Sequence, residues 1–117
     1  MKKLKRLRDR YVIWHARGIQ LPSFPQSTIV RKNVVFIGRV QKVGFRLEIC
    51  CLAERIGVTG WVKNRDDGSV EAEFQGMDAQ IDFIVASMKS LKRARVKNII
   101  MEEALIDEGS QEFTMLV

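Results

Sequence analysis

The sequence has little cysteine, histidine or proline, and it has no long apolar run. Its two cysteines, Cys50 and Cys51, are adjacent, so they cannot readily form an unstrained disulfide or supply a four-ligand zinc site. We interpret both as small buried apolar residues, with a redox pair as the alternative. No stretch approaches the roughly 20 apolar residues that span a bilayer, and the basic N-terminus is not followed by the apolar segment of a signal peptide. We therefore expect a protein of the cytoplasm.

The positive charge is concentrated at one end of the chain. The 117 residues, 46% of them hydrophobic and 29% charged, fit one compact domain. Seven of the 20 basic residues and one of the 14 acidic residues lie within residues 1–17, so the remainder is formally neutral. The net charge of +6 therefore belongs to the N-terminal segment and gives no argument that the domain binds nucleic acid.

The N-terminal segment has the spacing of an amphipathic helix. Its predicted apolar stripe, with a basic face opposite, consists of Leu4, Leu7, Tyr11 and Trp14. Pro22 and Pro25 then mark a linker. We predict an extension and linker over residues 1–28 and a folded domain over residues 29–117. The extension is either a flexible basic tail or a helix packed on the domain, and it could contact anionic surfaces such as membranes or nucleic acid.

The patterns after residue 28 predict an α+β fold. Strands are expected at 29–40, 58–63, 69–75, 96–106 and 112–117, with a hairpin turn at Asp67-Gly68. Helices are expected from Phe45 to a C-cap at Gly57, and after an N-cap at Asp78. The order βαββαβ is that of the ferredoxin-like sandwich, with helices on one face of an antiparallel sheet. This architecture hosts unrelated functions, so the site must decide the activity.

The segment GRVQKVGFR, residues 38–46, joins the first strand to the first helix. A turn there would aim several backbone N–H groups at the space above the helix N-terminus, which is a typical anion site. Arg46 falls in the first helical turn, where the dipole disfavours a cation unless an anion is bound. The alternative is that Arg46 points into solvent or pairs with Glu48.

Asn64 follows the second predicted strand, immediately before the hairpin. At that position its amide could face the same concavity, although an asparagine before a turn also satisfies local backbone groups. Taken alone, Asn64 has a structural role more often than a catalytic one.

The two segments together resemble the acylphosphatase family over roughly residues 29–117. The first matches the pattern G-x-V-Q-G-V-x-F-R at Gly38, Val40, Gln41, Val43, Phe45 and Arg46. The second matches G-[aromatic]-V-[K/R/Q]-N-x-x-x-G-x-V-x5-G at Gly60, Trp61, Val62, Lys63, Asn64, Gly68, Val70 and Gly76. Two spaced motifs are far more specific than one.

The resemblance implies an enzyme that hydrolyses the carboxyl-phosphate bond of small acyl phosphates without a metal or other cofactor. A monomer is the default expectation for a chain of this size. Arg46 would bind the phosphate and Asn64 would position the attacking water. The substrate-binding set that the resemblance implies is Gln41, Lys42, Val43, Gly44, Phe45 and Arg46. No nucleic acid partner is required by this interpretation.

The residue types in the two motifs suit this reaction. The leaving group is a carboxylate whose acid has a pKa of roughly 4, so it can depart without a general acid. That agrees with motifs that contain no histidine or cysteine; His15 lies outside both.

Two departures from the family pattern stand out. Lys42 occupies the position of the middle glycine, where it would either be strained by a positive φ or add a second cation beside the phosphate. The segment LKRARVKN, residues 91–98, lacks the expected Gly-Pro turn, and we expect it to be remote from the site. The alternatives are a phosphate-sensing relative with weak catalysis and an RNA-binding module, although the aromatic-rich strand of RNA-recognition domains is missing.

Overall fold

The computed structural model describes residues 2–117, with side chains from residue 5 onward, so the side chain of Leu4 lies outside the description. In chain order the elements are α1 Lys2–Gly18, β1 Ile29–Arg39, α2 Phe45–Ile56, β2 Thr59–Asn64, β3 Val70–Met77, α3 Asp78–Lys89, β4 Arg95–Ala104 and β5 Phe113–Met115. Within residues 2–117, no helix combines the length and apolar character needed to cross a membrane.

The five strands form one sheet in the order β4-β1-β3-β2-β5. Neighbours among the first four strands run antiparallel, whereas β5 pairs with β2 in parallel through Gly60 and Phe113. The predicted ferredoxin-like α+β order is confirmed, and the short parallel β5 makes the sheet as a whole mixed. Because β5 runs beside β2, the C-terminal residues lie next to the strand that ends in Asn64.

The core lies between one face of the sheet and the helices α2 and α3. Alternate residues of the central strands, such as Phe36 in β1 and Phe74 in β3, point into it and are fully buried. Ile49 of α2 and Ile84 of α3 cover them from the helical side. Phe45, the first residue of α2, packs edge-on against Phe36 with ring centroids 5.1 Å apart. This contact anchors the start of α2 to β1 and so positions the loop between them.

The helix boundaries of the domain follow from local capping. Gly57 adopts a left-handed conformation with φ of 90° and donates its N–H to the Ala53 carbonyl oxygen, as predicted for the end of α2. At α3 the cap lies one residue before the predicted Asp78: Met77 is the N-cap, and its N–H donates to Gln80 Oε1 at 3.0 Å. Gln80 thus accepts from the N-cap residue, and Asp78 is the first residue of the helix, where its carboxylate lies at the positive end of the helix dipole.

The N-terminal segment is a helix packed against α2, and it packs through a face other than the predicted apolar stripe. Val12 and Ala16 are fully buried, whereas Leu7, Tyr11 and Trp14 are 61%, 49% and 69% exposed. The described members of the predicted stripe therefore share one face of the helix, but that face is exposed and α1 packs through the other side. Small residues allow the two helices to approach closely, and Arg55 of α2 then reaches the C-terminal end of α1, donating to the Ala16 carbonyl oxygen at 2.6 Å.

Candidate active site

The loop at residues 40–44 turns sharply between β1 and α2. Lys42 has a φ of 65° and Gly44 a φ of 75°, so both adopt the left-handed conformation. Lys42 is the non-glycine residue with positive φ in the described chain. The first of the two alternatives for this position therefore holds: Lys42 stands in a backbone conformation that favours glycine, at a strain of about 1–3 kcal/mol. Its exposed side chain also lines the pocket described below, so the strained lysine adds a cation to the pocket.

Gly44 is the N-cap of α2, and it has no side chain that could accept a hydrogen bond from the first N–H groups of the helix. The first bond of the helix is donated by the Glu48 N–H to the Gly44 carbonyl oxygen at 3.1 Å. Within residues 2–117, the main-chain N–H groups of residues 41–47 have no protein acceptor. These donors lie at the positive end of the helix dipole, where an anion is favoured.

Arg93, in the segment that follows α3, binds the loop through its carbonyl oxygens. Its Nε donates to the Val43 carbonyl oxygen at 2.7 Å, and its Nη2 donates to Glu48 Oε1 at 2.6 Å and to the Gly44 carbonyl oxygen at 3.4 Å. The expectation that residues 91–98 are remote from the site is therefore wrong. Nothing local in LKRARVKN signals this contact, because Arg93 and the loop are about 50 residues apart and meet only through the fold.

Gln41 joins the loop to the β2–β3 hairpin. Its Nε2 donates to the carbonyl oxygens of Arg65 at 2.8 Å and Ser69 at 2.9 Å. The hairpin is itself closed by the Arg65 N–H donating to the Ser69 carbonyl oxygen at 2.9 Å. Since Arg65 follows Asn64 directly, the side chain of Gln41 connects the two motifs. This side chain is therefore already engaged, and only the main-chain N–H of Gln41 is available to bind a substrate.

Arg46 lies in the first turn of α2 and is half-buried. Its Nη1 donates to the Leu116 carbonyl oxygen at 3.3 Å, just beyond β5. Arg46 does not pair with Glu48, whose carboxylate is taken by Arg93 and His15, and its hydrogen bond to Leu116 lies at the surface. A guanidinium has five N–H donors, so one contact leaves the fork available for an anion.

Asn64 is the last residue of β2 and pairs with Val70 across the ladder. Its Oδ1 is buried and, within the described residues, is the one buried side-chain oxygen or nitrogen without a hydrogen-bond partner. Buried polar atoms are nearly always paired in folded proteins, so an orphan of this kind indicates a ligand or water. Turn chemistry, the structural alternative for Asn64, does not account for it.

These residues line one open pocket of about 480 Å³. Of the predicted site residues, the pocket is lined by Gln41, Lys42, Gly44, Phe45, Arg46 and Asn64. Val43 does not line it, because its carbonyl faces Arg93 on the other side of the loop. Val40, Leu47 and Met115 form an apolar part of its wall. The pocket thus combines anion donors with a surface for a small organic group.

Comparison with known proteins identifies the family. The model of the acylphosphatase family matches residues 32–115. The chain belongs to the acylphosphatase family. It is 51% identical over 91 residues to an acylphosphatase from Nostoc sp., covering 78% of this chain and 90% of that one. The crystal structure of acylphosphatase from Bacillus subtilis has a TM-score of 0.70 at 32% identity, covering 77% of this chain and all of that one. An acylphosphatase from Coxiella burnetii has a TM-score of 0.69 at 29% identity, over 75% and 93% of the two chains.

Membership of the acylphosphatase family confirms the predicted family, and with it the predicted class of enzyme: a hydrolase of acyl phosphates. The match begins at residue 32 and so excludes α1. Yet Lys5, Arg8 and Asp9 of α1 line the same pocket as Arg46. Sequence reasoning missed these residues because it placed the segment outside the domain.

The cysteines lie away from this pocket. Burial raises the pKa of the Cys50 thiol to about 12, and burial is also the main cause that raises the pKa of Cys51, which is only partly buried. A thiol with a raised pKa is a poor nucleophile at neutral pH, so the geometry favours the interpretation of Cys50 as an apolar core residue over a redox pair. Within residues 2–117, no group of three or more His, Cys, Asp or Glu side chains is placed to hold a metal ion.

Proposed function

We propose that this protein hydrolyses small acyl phosphates with Arg46 and the main-chain amides of residues 41–45 holding the phosphoryl group and Asn64 positioning the attacking water. The observation that carries the proposal is the pocket itself, in which Arg46, unpaired loop amides and the orphaned Asn64 Oδ1 come together. These groups come from two motifs that are about 20 residues apart in the chain.

The phosphoryl group takes the position above the N-terminus of α2. Phosphoryl transfer passes through a state in which negative charge spreads over three oxygens, and the main contribution of a protein is to position the group and stabilise that charge. Loop amides and a planar guanidinium can bind these oxygens together, and a bidentate arginine adds orientation as well as energy. Arg93 and Gln41 keep the loop in place through its carbonyls and through the hairpin.

The water is assigned to Asn64 because its buried Oδ1 can accept one of the water's hydrogens. A neutral amide orients a water molecule without removing its proton. This suffices here because the transition state of phosphoryl transfer is loose, so the water keeps its proton until the P–O bond has formed and then loses it to a phosphate oxygen. The leaving carboxylate is a weak base, with an acid pKa of roughly 4, and needs no protonation as it departs. The same reasoning supports a reaction without a metal cofactor.

The alternative of an RNA-binding module finds little support on the open face of the sheet. Arg31 is almost fully buried there, and its Nε donates to Glu73 Oε1 at 2.7 Å and its Nη1 to Gln75 Oε1 at 3.1 Å. Asn33 donates to the carboxylates of Glu71 at 2.9 Å and Glu73 at 3.2 Å. Because the cations of this face are engaged by Glu71 and Glu73, they are not free to bind a phosphate backbone. Trp61 is the aromatic residue on this face of the described sheet, where RNA-recognition domains use a cluster for stacking.

The roles can be separated by kinetics on benzoyl phosphate in the presence of a chelator, with p-nitrophenyl phosphate as the ester control, whose leaving group is a stronger base than a carboxylate. Arg46→Ala should reduce kcat/KM by roughly 10²–10³-fold and weaken inhibition by inorganic phosphate, because it removes a charged donor from the transition state. Asn64→Ala should reduce kcat by a similar factor but leave phosphate inhibition almost unchanged, because the water and not the phosphate is affected.

Arg39→Ala is the matched control, since Arg39 is an exposed arginine at the end of β1 outside this pocket. It should retain wild-type activity. Near-normal hydrolysis by Arg46→Ala would refute the assignment of phosphate binding to Arg46. Phosphate binding by the wild-type protein without hydrolysis would favour the phosphate-sensing alternative.

We also infer that the enzyme acts as a monomer in the cytoplasm, with residues 1–28 as an extension of a catalytic domain at 29–117. Arg46, Asn64 and the loop meet within a single chain, so the proposed hydrolysis needs no second copy. Free thiols such as Cys50 suit a reducing compartment. Light scattering coupled to gel filtration tests the first inference, and a stable dimer would contradict it.

The exposed face of α1 supports the expected contact with anionic surfaces. Leu7, Tyr11 and Trp14 form an outward stripe beside the cations Arg10 and Arg17. A basic helix with exposed aromatic residues can lie in the interface of an anionic membrane. Sedimentation with vesicles of anionic lipid, against vesicles of neutral lipid, tests this inference.

A further inference from the structure

The catalytic pocket has a wall that the family motifs do not supply. Lys5, Arg8 and Asp9 of α1 line it together with Arg46 and Leu47 of α2. All three lie before residue 32, where the match to the acylphosphatase family begins. The wall is thus a feature of the part of this chain that precedes the family domain.

This wall is fixed to the phosphate loop itself. Val12 of α1 is fully buried and its Cγ2 rests on Gly44, so closely that a Cβ on Gly44 would lie 2.5 Å from it. Further along α1, His15 Nδ1 lies 2.8 Å from Glu48 Oε2, one turn into α2. Lys5 lies seven residues before Val12, two helical turns away on the same face. The face of α1 that packs on the loop therefore also places Lys5, whose side chain is exposed, at the pocket.

The charges on the wall are unequal. Arg8 donates from Nε and Nη2 to Asp9 Oδ1 at 3.2 and 3.1 Å, and the two side chains are 34% and 37% exposed. Lys5 has no carboxylate within ion-pair distance among the described side chains. One positive charge therefore remains on the wall after the Arg8–Asp9 pair. The phosphoryl group is already provided for by Arg46 and the loop amides, so this charge is available for another part of the substrate.

We propose that α1 adds a second anion subsite to the active site, in which Lys5 and Arg8 select acyl phosphates whose acyl group carries its own negative charge. The class of substrate is a monophosphorylated dicarboxylic acid or an acyl phosphate with a further phosphate. The proposal rests on the proposed function, since it assumes that the phosphoryl group binds at Arg46. Lys5 and Arg8 act on substrate specificity and take no part in bond cleavage.

The test compares two substrates with the same number of carbon atoms, glutaryl phosphate and pentanoyl phosphate, on the full-length protein. The first carries a free carboxylate and the second does not. Wild type should hydrolyse glutaryl phosphate with the higher kcat/KM. The double variant Lys5→Ala/Arg8→Ala should lose about tenfold on glutaryl phosphate, as expected for loss of partly exposed charge pairs, and less than twofold on pentanoyl phosphate. Because screening weakens exposed pairs, salt should reduce the preference of the wild-type protein.

Two further variants make the result specific. Arg10→Ala, an exposed arginine on the same helix outside the pocket, should leave both substrates unchanged. Asp9→Asn releases Arg8 from its carboxylate and should increase the preference for glutaryl phosphate, the opposite direction to the double variant. An equal change on both substrates in the double variant, or no change with Asp9→Asn, would overturn the subsite. Failure of the wild-type protein to hydrolyse either substrate would instead refute the proposed function, and the subsite with it.

Discussion

The strained lysine in the phosphate loop allows a test of the loop geometry by two substitutions that differ by one methyl group. Lys42 has a φ of 65°, which an L-residue with a Cβ adopts at a penalty of about 1–3 kcal/mol. Lys42→Gly removes that penalty but gives the unfolded chain more freedom, which offsets about 0.5–1 kcal/mol. Because the side chain of Lys42 is exposed, little packing is lost. The net effect should be a stabilisation of about 1 kcal/mol.

Lys42→Ala is the matched comparison, since it removes the same charge but keeps the Cβ and therefore the strain. In urea, Lys42→Gly should unfold at a higher midpoint than Lys42→Ala with an unchanged m-value, and its Tm should be about 4 °C higher. The two variants lose the same cation, so any common loss of activity reports the charge of Lys42. Any difference in activity between them reports the shape of the loop.

Equal midpoints for the two variants would refute the reasoning, because the penalty for positive φ would then be no larger than the gain in unfolded-state freedom, about 0.5–1 kcal/mol. A lower midpoint for Lys42→Gly than for wild type, with Lys42→Ala unchanged, would show that unfolded-state freedom outweighs the strain. In both cases the lysine would be an ordinary substitute for the family glycine.

Three other residues give independent predictions. Gln41→Ala should reduce kcat on benzoyl phosphate with little change in phosphate inhibition, because it releases the hairpin that carries Asn64. Gln20→Ala, at an exposed glutamine, is the control, and a selective loss of phosphate binding in Gln41→Ala would contradict the prediction. Arg93→Ala should lower the free energy of unfolding, measured in urea, by about 3 kcal/mol, because it removes a charged partner of the fully buried Glu48 carboxylate. The double variant Arg93→Ala/Glu48→Gln should regain part of this stability, and no regain would argue against an unpaired charge as the cause. Burial raises the pKa of Cys50 to about 12, so iodoacetamide at pH 8 should alkylate it only after unfolding, whereas rapid native labelling at this position, mapped by mass spectrometry, would place the thiol in solvent. Because the folded protein favours the neutral Cys50 thiol, this group contributes its full stability below the unfolded pKa of about 9, and the contribution decreases as the pH rises toward 12.

Much of the domain could be predicted from local patterns. The run around Phe36 marked a central strand, the helical spacing after Phe45 marked α2, and Gly57 marked its end. Asn64 was expected at the end of β2 and lies there. These features depend on the period of apolar residues and on the conformational freedom of glycine, which act over a few neighbouring residues.

The remaining features depended on segments that are distant in sequence. The apolar spacing in α1 indicated a stripe through Trp14, yet that residue is 69% exposed and the helix packs through Val12. Arg93 reaches a loop about 50 residues earlier in the chain, and nothing in its neighbours indicated this contact. The sequence alone could name Arg46 and Asn64 as candidates because each stands at a recognisable end of an element. Only the tertiary structure decided which face of α1 meets the pocket and which side chains hold the loop, because packing and charge pairing are settled when distant segments come into contact.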